Sequence, residues 1–412
     1  MLPAWSELDP VLAAAADRFG TPAYVYSTDR IAQRTDCLMR DFGRWFRLSY
    51  AVKTNPNLAL LAWLRGVVPL LDVSSIGEVR RAVKAGWSPG LLSFTGPAKR
   101  REELDEAVAS GVGDIVLESL EEASTVNVLA QSAGVVQKVI VRLSPDRVPK
   151  GFGDHMAGRP SPFGIDVEDA EVSVPKIAAM PHLELAGFHI YSGTQSLRPE
   201  AIVENWRIFI AQFRRFCTLI DLVPVRLIFG SGLGIPHHAG DQPLDTAAIA
   251  EAIAPDLDAM VADPRFAESD LVLELGRHLV GEAGAFVTRV LRVKESRGAR
   301  VVLCDGGMNA HLAATGQFGM VLRRNYLLHR VGGGEAVQKV DIHGPLCTSI
   351  DKLATGAELP SLAAGDLIAI YPSGAYGPTA SPRGFISHPE PREVLVQGGQ
   401  MSDVTEQPAS AA

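Results

Sequence analysis

Tyr50-Ala51-Val52-Lys53-Thr54-Asn55-Pro56-Asn57 is an apolar, β-favouring run that ends in a lysine and then in a turn-prone Asn-Pro-Asn. With Leu48 ahead of it, the run reads as a buried strand whose C-terminal end presents one amine. A lysine there costs desolvation energy unless it has a partner, and desolvation lowers its pKa. Such an amine is a nucleophile towards aldehydes and can hold a carbonyl cofactor as a Schiff base. Read alone, the eight residues also fit an ordinary surface lysine just past a strand. The rest of the chain decides between the two.

Outward from this stretch the pattern is regular. Strand-like runs at Leu48–Lys53, Pro69–Ser75, Leu91–Gly96, Gly113–Ser119, Lys138–Leu143, Leu183–Ser192, Arg226–Gly230 and Asp270–Gly276 are separated by helix-like stretches. Ser75-Ile76-Gly77-Glu78 and Ser119-Leu120-Glu121-Glu122 carry helix-opening signals. Strands alternating with helices in this number are what a (β/α)8 barrel needs, although an open doubly wound sheet alternates too. The barrel is expected over residues 31–278. After about residue 280 short β-like runs (Phe286–Val293, Arg300–Cys304, Gln338–Ile342, Leu367–Tyr371, Glu393–Val396) alternate with Gly- and Pro-rich turns, which reads as an all-β domain. Residues 1–30, with a helix over Pro10–Phe19 and a strand at Ala23–Tyr26, are expected to join residues 279–397 in that domain. The small, polar stretch 398–412 is expected to be a disordered tail.

The 412 residues suffice for two domains, and 47% hydrophobic with 21% charged residues is ordinary for a soluble enzyme. A net charge of -8 argues against a broad nucleic-acid surface. Cys37, Cys217, Cys304 and Cys347 are far apart, which points to reduced thiols in a cytoplasmic protein. No signal-peptide pattern or membrane-length apolar run is found.

In such a barrel the chemistry gathers at the C-terminal strand ends. These offer Lys53, Asp72 with Ser74, Glu118, Arg142, His189 with Ser192, Gly230–Gly234, and Glu274 to Arg277. Gly230-Ser231-Gly232-Leu233-Gly234 lets backbone amides approach an anion, or simply makes a tight turn. Gly276 and Arg277 at the next strand end supply a further amide and a guanidinium, which favours a phosphate.

These stretches resemble, in order, the fold-type III pyridoxal-phosphate (PLP) decarboxylases, the group that includes ornithine, arginine and diaminopimelate decarboxylases. The resemblance continues with Asp72–Glu78, Phe163-Gly164-Ile165, Gly187–Gly193, Cys304–Gly307, Gly344-Pro345-Leu346-Cys347 with Asp351, and Ser373–Gly377. It implies an alanine racemase/ornithine decarboxylase-like fold: a TIM-type barrel with a C-terminal β domain. It also implies that Lys53 carries PLP, Glu274 pairs with the pyridine nitrogen, and His189 lies on the ring face. Ser192, Gly232, Gly234, Gly276, Arg277 and Tyr376 would hold the phosphate. Cys347 would return a proton to the substrate carbon after carbon dioxide leaves, although cysteine is more often a small buried hydrophobe. Arg277, Arg323, Thr348, Asp351 and Tyr376 would meet the substrate. The same resemblance implies a homodimer in which Cys347 serves the partner's site.

The sequence departs from the basic-amino-acid decarboxylases at Thr348, where a carboxylate often follows the cysteine. A neutral hydroxyl cannot pair with a distal amine, so ornithine, lysine and diaminopimelate fit less well. Asp305–Gly316 followed by Arg323-Arg324 resembles the branch found in secondary-metabolite, siderophore and exopolysaccharide clusters. Some of its members act on an aminoacyl group held by an acyl-carrier protein. Arg323, Arg324 and Arg383 could meet a carboxylate or an acidic carrier, or be solvated surface charges. The rival readings are an amino-acid racemase of the same fold and a catalytically silent regulatory homologue. Glu274 argues against the first, and the joint presence of Lys53, His189, Glu274, Cys347 and Tyr376 against the second. No metal is expected, since the adjacent His237 and His238 would diverge on regular structure.

Overall fold

The structure is a computed structural model, and it describes residues 5–318 and 323–406. The chain forms two compact units: Asp36–Ile235 with Pro243–Gly276, and Met1–Thr35 with Pro236–Gln242 and Arg277–Ala412. The first unit is a closed barrel of parallel strands, Phe46–Ala51, Leu70–Val73, Leu92–Phe94, Asp114–Leu117, Gln137–Ser144, Leu183–Ile190, Arg226–Gly230 and Asp270–Leu275. The eighth strand closes onto the first with Leu271 opposite Phe46 and Glu274 opposite Ser49.

Periodicity and caps explain these elements. Parallel strands covered on both faces must be apolar on both, and Leu70–Val73 and Asp114–Leu117 are buried throughout. Leu70, Val116, Ile140, Ala186, Ile228 and Val272 form a cluster contributed by the barrel strands. Under the helix Pro199–Leu219, Trp206, Phe46, Phe213 and Phe229 meet edge to face, with centroids 5.1 to 6.2 Å apart. Ser75 and Ser119 accept the backbone N–H of Glu78 and Glu122, so each opens a helix as its sequence signal requires. At the N-terminal strand ends, Asp114 is ion-paired with Arg226 and accepts a hydrogen bond from Ser93 at 2.5 Å. A cavity of about 10 Å³, room for one water at most, is lined by Arg226, Ser93, Asp72 and Glu274.

The second unit is built on a nine-stranded sheet. Ala23–Ser27 pairs antiparallel with Gly284–Ser296 and parallel with Arg392–Gln397, so the N-terminal strand joins the β domain. The helix Asp9–Phe19 packs Leu12, Ala15 and Ala16 against Val25, Val287, Ala369 and Val394. Three strands lie outside the sequence expectation: Leu327–Arg330, Lys352–Pro360 and Gln400–Asp403. The last corrects the expected tail over its first part. Gln397 pairs with Gln400, so Gly398-Gly399 is a two-residue hairpin loop with both φ positive, at 53° and 77°. Residues 407–412 lie outside the described residues.

Candidate active site

The strand Phe46–Ala51 does not run straight on to the lysine. It breaks into a 3-10 turn at Val52–Thr54, and Lys53 stands on that turn. Tyr50 Oη donates to the Asn55 carbonyl at 3.0 Å, and the Asn57 side chain accepts from Ala59 N–H at 3.0 Å to open the next helix. The Asn-Pro-Asn therefore ends the turn that carries Lys53 and caps the next helix within three residues. Lys53 is not desolvated as expected, its side chain being 43% exposed. What faces it is charge. Its Nζ lies 3.5 Å from Asp72 Oδ2 at the end of the second strand.

Asp72 is buried, and its other oxygen accepts from Thr95 Oγ1 at 2.6 Å. Glu274, from the eighth strand, and His189, from the sixth, meet inside the barrel with Oε2 and Nε2 3.1 Å apart. Both are nearly inaccessible to solvent. Burial raises the Asp72 carboxyl, as does Glu274, against the opposing pull of Lys53, Thr95 and His189. Burial also acts to raise Glu274, but His189, Lys53 and Arg142 outweigh it and hold the carboxyl below its ordinary range. The two acids are thus driven apart, Asp72 upwards and Glu274 downwards.

Around this centre the strand ends form an ordered rim. Arg142 Nη1 pairs with Glu118 Oε1 at 3.1 Å, and Glu118 also accepts Gly164 N–H at 2.7 Å and Gly96 N–H at 3.2 Å. Phe163 covers the Arg142 guanidinium at 4.7 Å. That explains the Phe163-Gly164-Ile165 stretch, whose part in the site the sequence does not disclose: Gly164, at φ 74°, turns its amide onto Glu118 while Phe163 shields the ion pair. Ser192 follows the sixth strand, is fully buried, and its Oγ has no hydrogen-bond partner among the described residues.

The glycine loop after the seventh strand is tightly packed against the protein itself. Ser196 N–H donates to Gly232 at 3.0 Å, and Gly234 N–H donates to Ser196 at 2.9 Å. Gly232 has φ 70°, and a side chain there would run into the Phe152 ring. At Gly276 a Cβ would lie 2.5 Å from Thr54 Oγ1, a buried hydroxyl without a hydrogen-bond partner among the described residues. The loop is a tight turn, and the Gly234 amide is already occupied by it.

The remaining predicted residues belong to the second unit. There Arg277 lies over the Tyr376 ring at 5.0 Å, and its Nη1 is 3.4 Å from His237 Nε2. Tyr376 also contacts the Phe318 ring at 5.7 Å. Cys347 is exposed and Thr348 half-buried. Asp351 is buried and turned inwards, its two oxygens accepting Met308 N–H at 2.6 Å and Leu346 N–H at 2.8 Å. That corrects the expectation of a substrate-facing carboxylate: Asp351 ties together the two Gly-rich turns that carry Met308 and Leu346. Arg323 donates to the Lys352 carbonyl, whereas Arg324 pairs with Asp241 at 2.9 Å and Arg383 with Glu390 at 2.8 Å. Gly319–Leu322, part of the stretch before Arg323, lie outside the described residues. His238 Nδ1 lies 2.9 Å from the Asn325 carbonyl oxygen.

The chain is similar to known proteins over nearly its whole length. The pyridoxal binding domain of pyridoxal-dependent decarboxylases matches residues 28–281. The L-glutamyl-[BtrI acyl-carrier protein] decarboxylase of Niallia circulans is 33% identical over 94% of this chain and 91% of its own. The diaminopimelate decarboxylase of Zymomonas mobilis is 32% identical over 95% and 91%. The crystal structure of M. jannaschii diaminopimelate decarboxylase with L-lysine superposes with a TM-score of 0.85 at 26% identity, covering 96% of this chain and 91% of that one. With Lys53, His189 and Glu274 on a closed barrel and a β domain after it, the chain belongs to the pyridoxal-dependent decarboxylases, PLP enzymes that remove carbon dioxide from an amino acid or a substrate derived from one.

Proposed function

We propose that the barrel mouth holds PLP through Lys53 and that the substrate is an aminoacyl group on a carrier protein, with glutamyl as the first candidate. The convergence of Lys53, Asp72, His189 and Glu274 at one end of the barrel carries the catalytic part of this reading. The residues suit the cofactor. An ionised, buried Glu274 matches a protonated pyridine nitrogen, and the unpartnered Ser192 hydroxyl suits a phosphate oxygen. When bound, PLP supplies a ring that takes up the electron pair left by the departing carboxylate.

The protein's own contributions follow from chemistry. Lys53 would hold the cofactor covalently. Glu274 would keep the ring nitrogen protonated, and His189 would cover the ring and stabilise the Glu274 charge. Ser192, Gly232, Gly276, Arg277 and Tyr376 would hold the phosphate, and Gly234 keeps its own loop closed. Cys347 would return a proton to the substrate carbon.

Thr348 and the likeness to the Niallia circulans carrier-protein decarboxylase support a substrate without a distal amine. Arg324 and Arg383 already have carboxylate partners, so Arg323 is the arginine left to meet a substrate carboxylate. We place the protein in the cytoplasm, in secondary metabolism, as a homodimer. Cys347 is exposed on its own chain, and Phe318, Ile350, Phe385 and Ile386 expose 44 to 48% of their surface on the same unit, which supports a partner's covering them. Among the described residues no helix is long and apolar enough to cross a membrane.

The test is carbon dioxide release from a panel of glutamyl-carrier thioester, free glutamate, diaminopimelate, lysine, ornithine and arginine. Release from the thioester, abolished in Lys53→Ala, is the expected result. Release from diaminopimelate instead would assign the protein to the activity of its Zymomonas mobilis relative and show that Thr348 does not set specificity.

A further inference from the structure

We propose that His237 is a positioning residue for Arg277: a neutral acceptor that aims the guanidinium at the cofactor phosphate without neutralising it. The proposal rests on the reading of Arg277 as a phosphate ligand. All three residues concerned, His237, Arg277 and Tyr376, belong to one unit.

A guanidinium has five donors and no acceptor. The contact of 3.4 Å between Arg277 Nη1 and His237 Nε2 therefore requires a lone pair on Nε2 and places the imidazole proton on Nδ1. His237 is only 5% exposed and is fixed at both backbone ends. Its N–H donates to Asp241 Oδ2 at 3.2 Å, and its carbonyl accepts Leu327 N–H at 2.9 Å. The Tyr326 ring stands edge-on to the imidazole at 5.1 Å. On another side the Arg277 guanidinium lies over Tyr376, again an uncharged partner. Its Nε is buried without a hydrogen-bond partner among the described residues.

The contrast with neighbouring arginines is the core of the argument. On the same unit Arg34, Arg289, Arg324, Arg330 and Arg383 face the carboxylates of Glu282, Asp17, Asp241, Asp366 and Glu390. Those charges are compensated. Arg277 is instead oriented by a ring nitrogen and a π face, so its full positive charge and its Nε donor stay available for an anion. Asp241, the nearest acid on the His237 segment, is occupied by the His237 and His238 amides and by Arg324. The excursion Pro236–Gln242, which leaves the barrel unit between Ile235 and Pro243, thereby acquires a purpose: it delivers His237 to Arg277.

The experiment titrates PLP into the apo protein, following cofactor absorbance, for wild type, His237→Gln, His237→Leu, His237→Glu and Arg277→Met. Apo thermal unfolding confirms that each variant folds. Gln carries an acceptor close to the Nε2 position, so His237→Gln binds PLP within about threefold of wild type. His237→Leu loses one charge-assisted hydrogen bond and binds about tenfold more weakly. His237→Glu is at least as weak, because a carboxylate competes with the phosphate. Binding of pyridoxal, which has no phosphate, is unchanged in His237→Leu. Wild-type PLP affinity in His237→Leu, with weakened binding in Arg277→Met, overturns the proposal and leaves the role of Arg277 standing. Unchanged binding in Arg277→Met removes that role itself. Equal weakening by Gln and Leu, or loss of pyridoxal binding too, reduces His237 to a structural part. If His237→Leu fails to fold, the Gln and Glu pair decides: equal affinities refute it.

Discussion

Two carboxylates enclosed by the same barrel have been given opposite tasks by their neighbours. Asp72 has burial and the charge of Glu274 working against its ionisation, and the half-exposed amine of Lys53 working for it. Glu274 has the His189 imidazole, Lys53 and Arg142 all favouring the anion. Removing that charge tests its role: Glu274→Gln should bind PLP yet lower kcat by on the order of 10²–10³, as loss of a preorganised charge at a reacting centre does. A stopped-flow decarboxylation assay giving wild-type kcat would take Glu274 out of the chemistry. At this scale Lys53, His189 and Glu274 were legible in the sequence because strand ends expose their residue types and the interval between strands is regular. Asp351 was not. Its direction depends on Gly307 and Gly344, where any side chain would collide with its carboxylate, and no local pattern reports which way a buried acid turns. Nor was the Thr54 hydroxyl legible as a feature of the site, since its position beside Gly276 is a contact across the barrel sheet.

The helix Ile76–Lys84 opens with a reciprocal cap: Ser75 Oγ accepts Glu78 N–H at 3.2 Å, and Glu78 Oε2 accepts Ser74 N–H at 2.7 Å. Burial lifts the Glu78 carboxyl to about 7, the Ser74 hydrogen bond opposing it. A carboxyl raised on folding stabilises the folded state fully below its unfolded value of 4.5, and that stabilisation is lost as pH rises through about 7. Glu78→Gln retains an acceptor for Ser74 and has no charge to bury. We expect it to match wild type near pH 4 and to exceed it by about 2 kcal/mol at pH 8, measured by urea unfolding at both pH values. Equal stability at pH 8 would mean that Glu78 is ordinarily acidic. Barrel strands were legible as elements because each is an apolar run closed by small or polar residues. Lys352–Pro360 was hidden by Gly356, at φ 59°, which sits where its pairing with Val337–His343 slips register. Gly398-Gly399 hid Gln400–Asp403 in the same way, a hairpin turn read as the start of a tail.

For the whole molecule, the proposed dimer makes a sharp prediction. If Cys347 of one chain serves Lys53 of the other, Lys53→Ala and Cys347→Ala homodimers are each inactive. Mixed and allowed to exchange, they should recover roughly a quarter of wild-type activity, because half of the dimers then hold one intact site. No recovery despite proven exchange would put both residues in the site of a single chain. The order of the two units along the chain was legible from the change in texture near residue 280. The detour of Pro236–Gln242 out of the barrel unit was not, because nothing in its seven residues distinguishes it from a long βα loop. One pairing in the sheet also bears on how the protein is made. Ala23–Ser27 takes one neighbour from Gly284–Ser296 and the other from Arg392–Gln397. At about 5–20 residues per second, the strand waits roughly 20–70 s after its own synthesis for the second of them. Through that interval it is an apolar ribbon with at least one edge of unclaimed backbone, open to pairing with another chain.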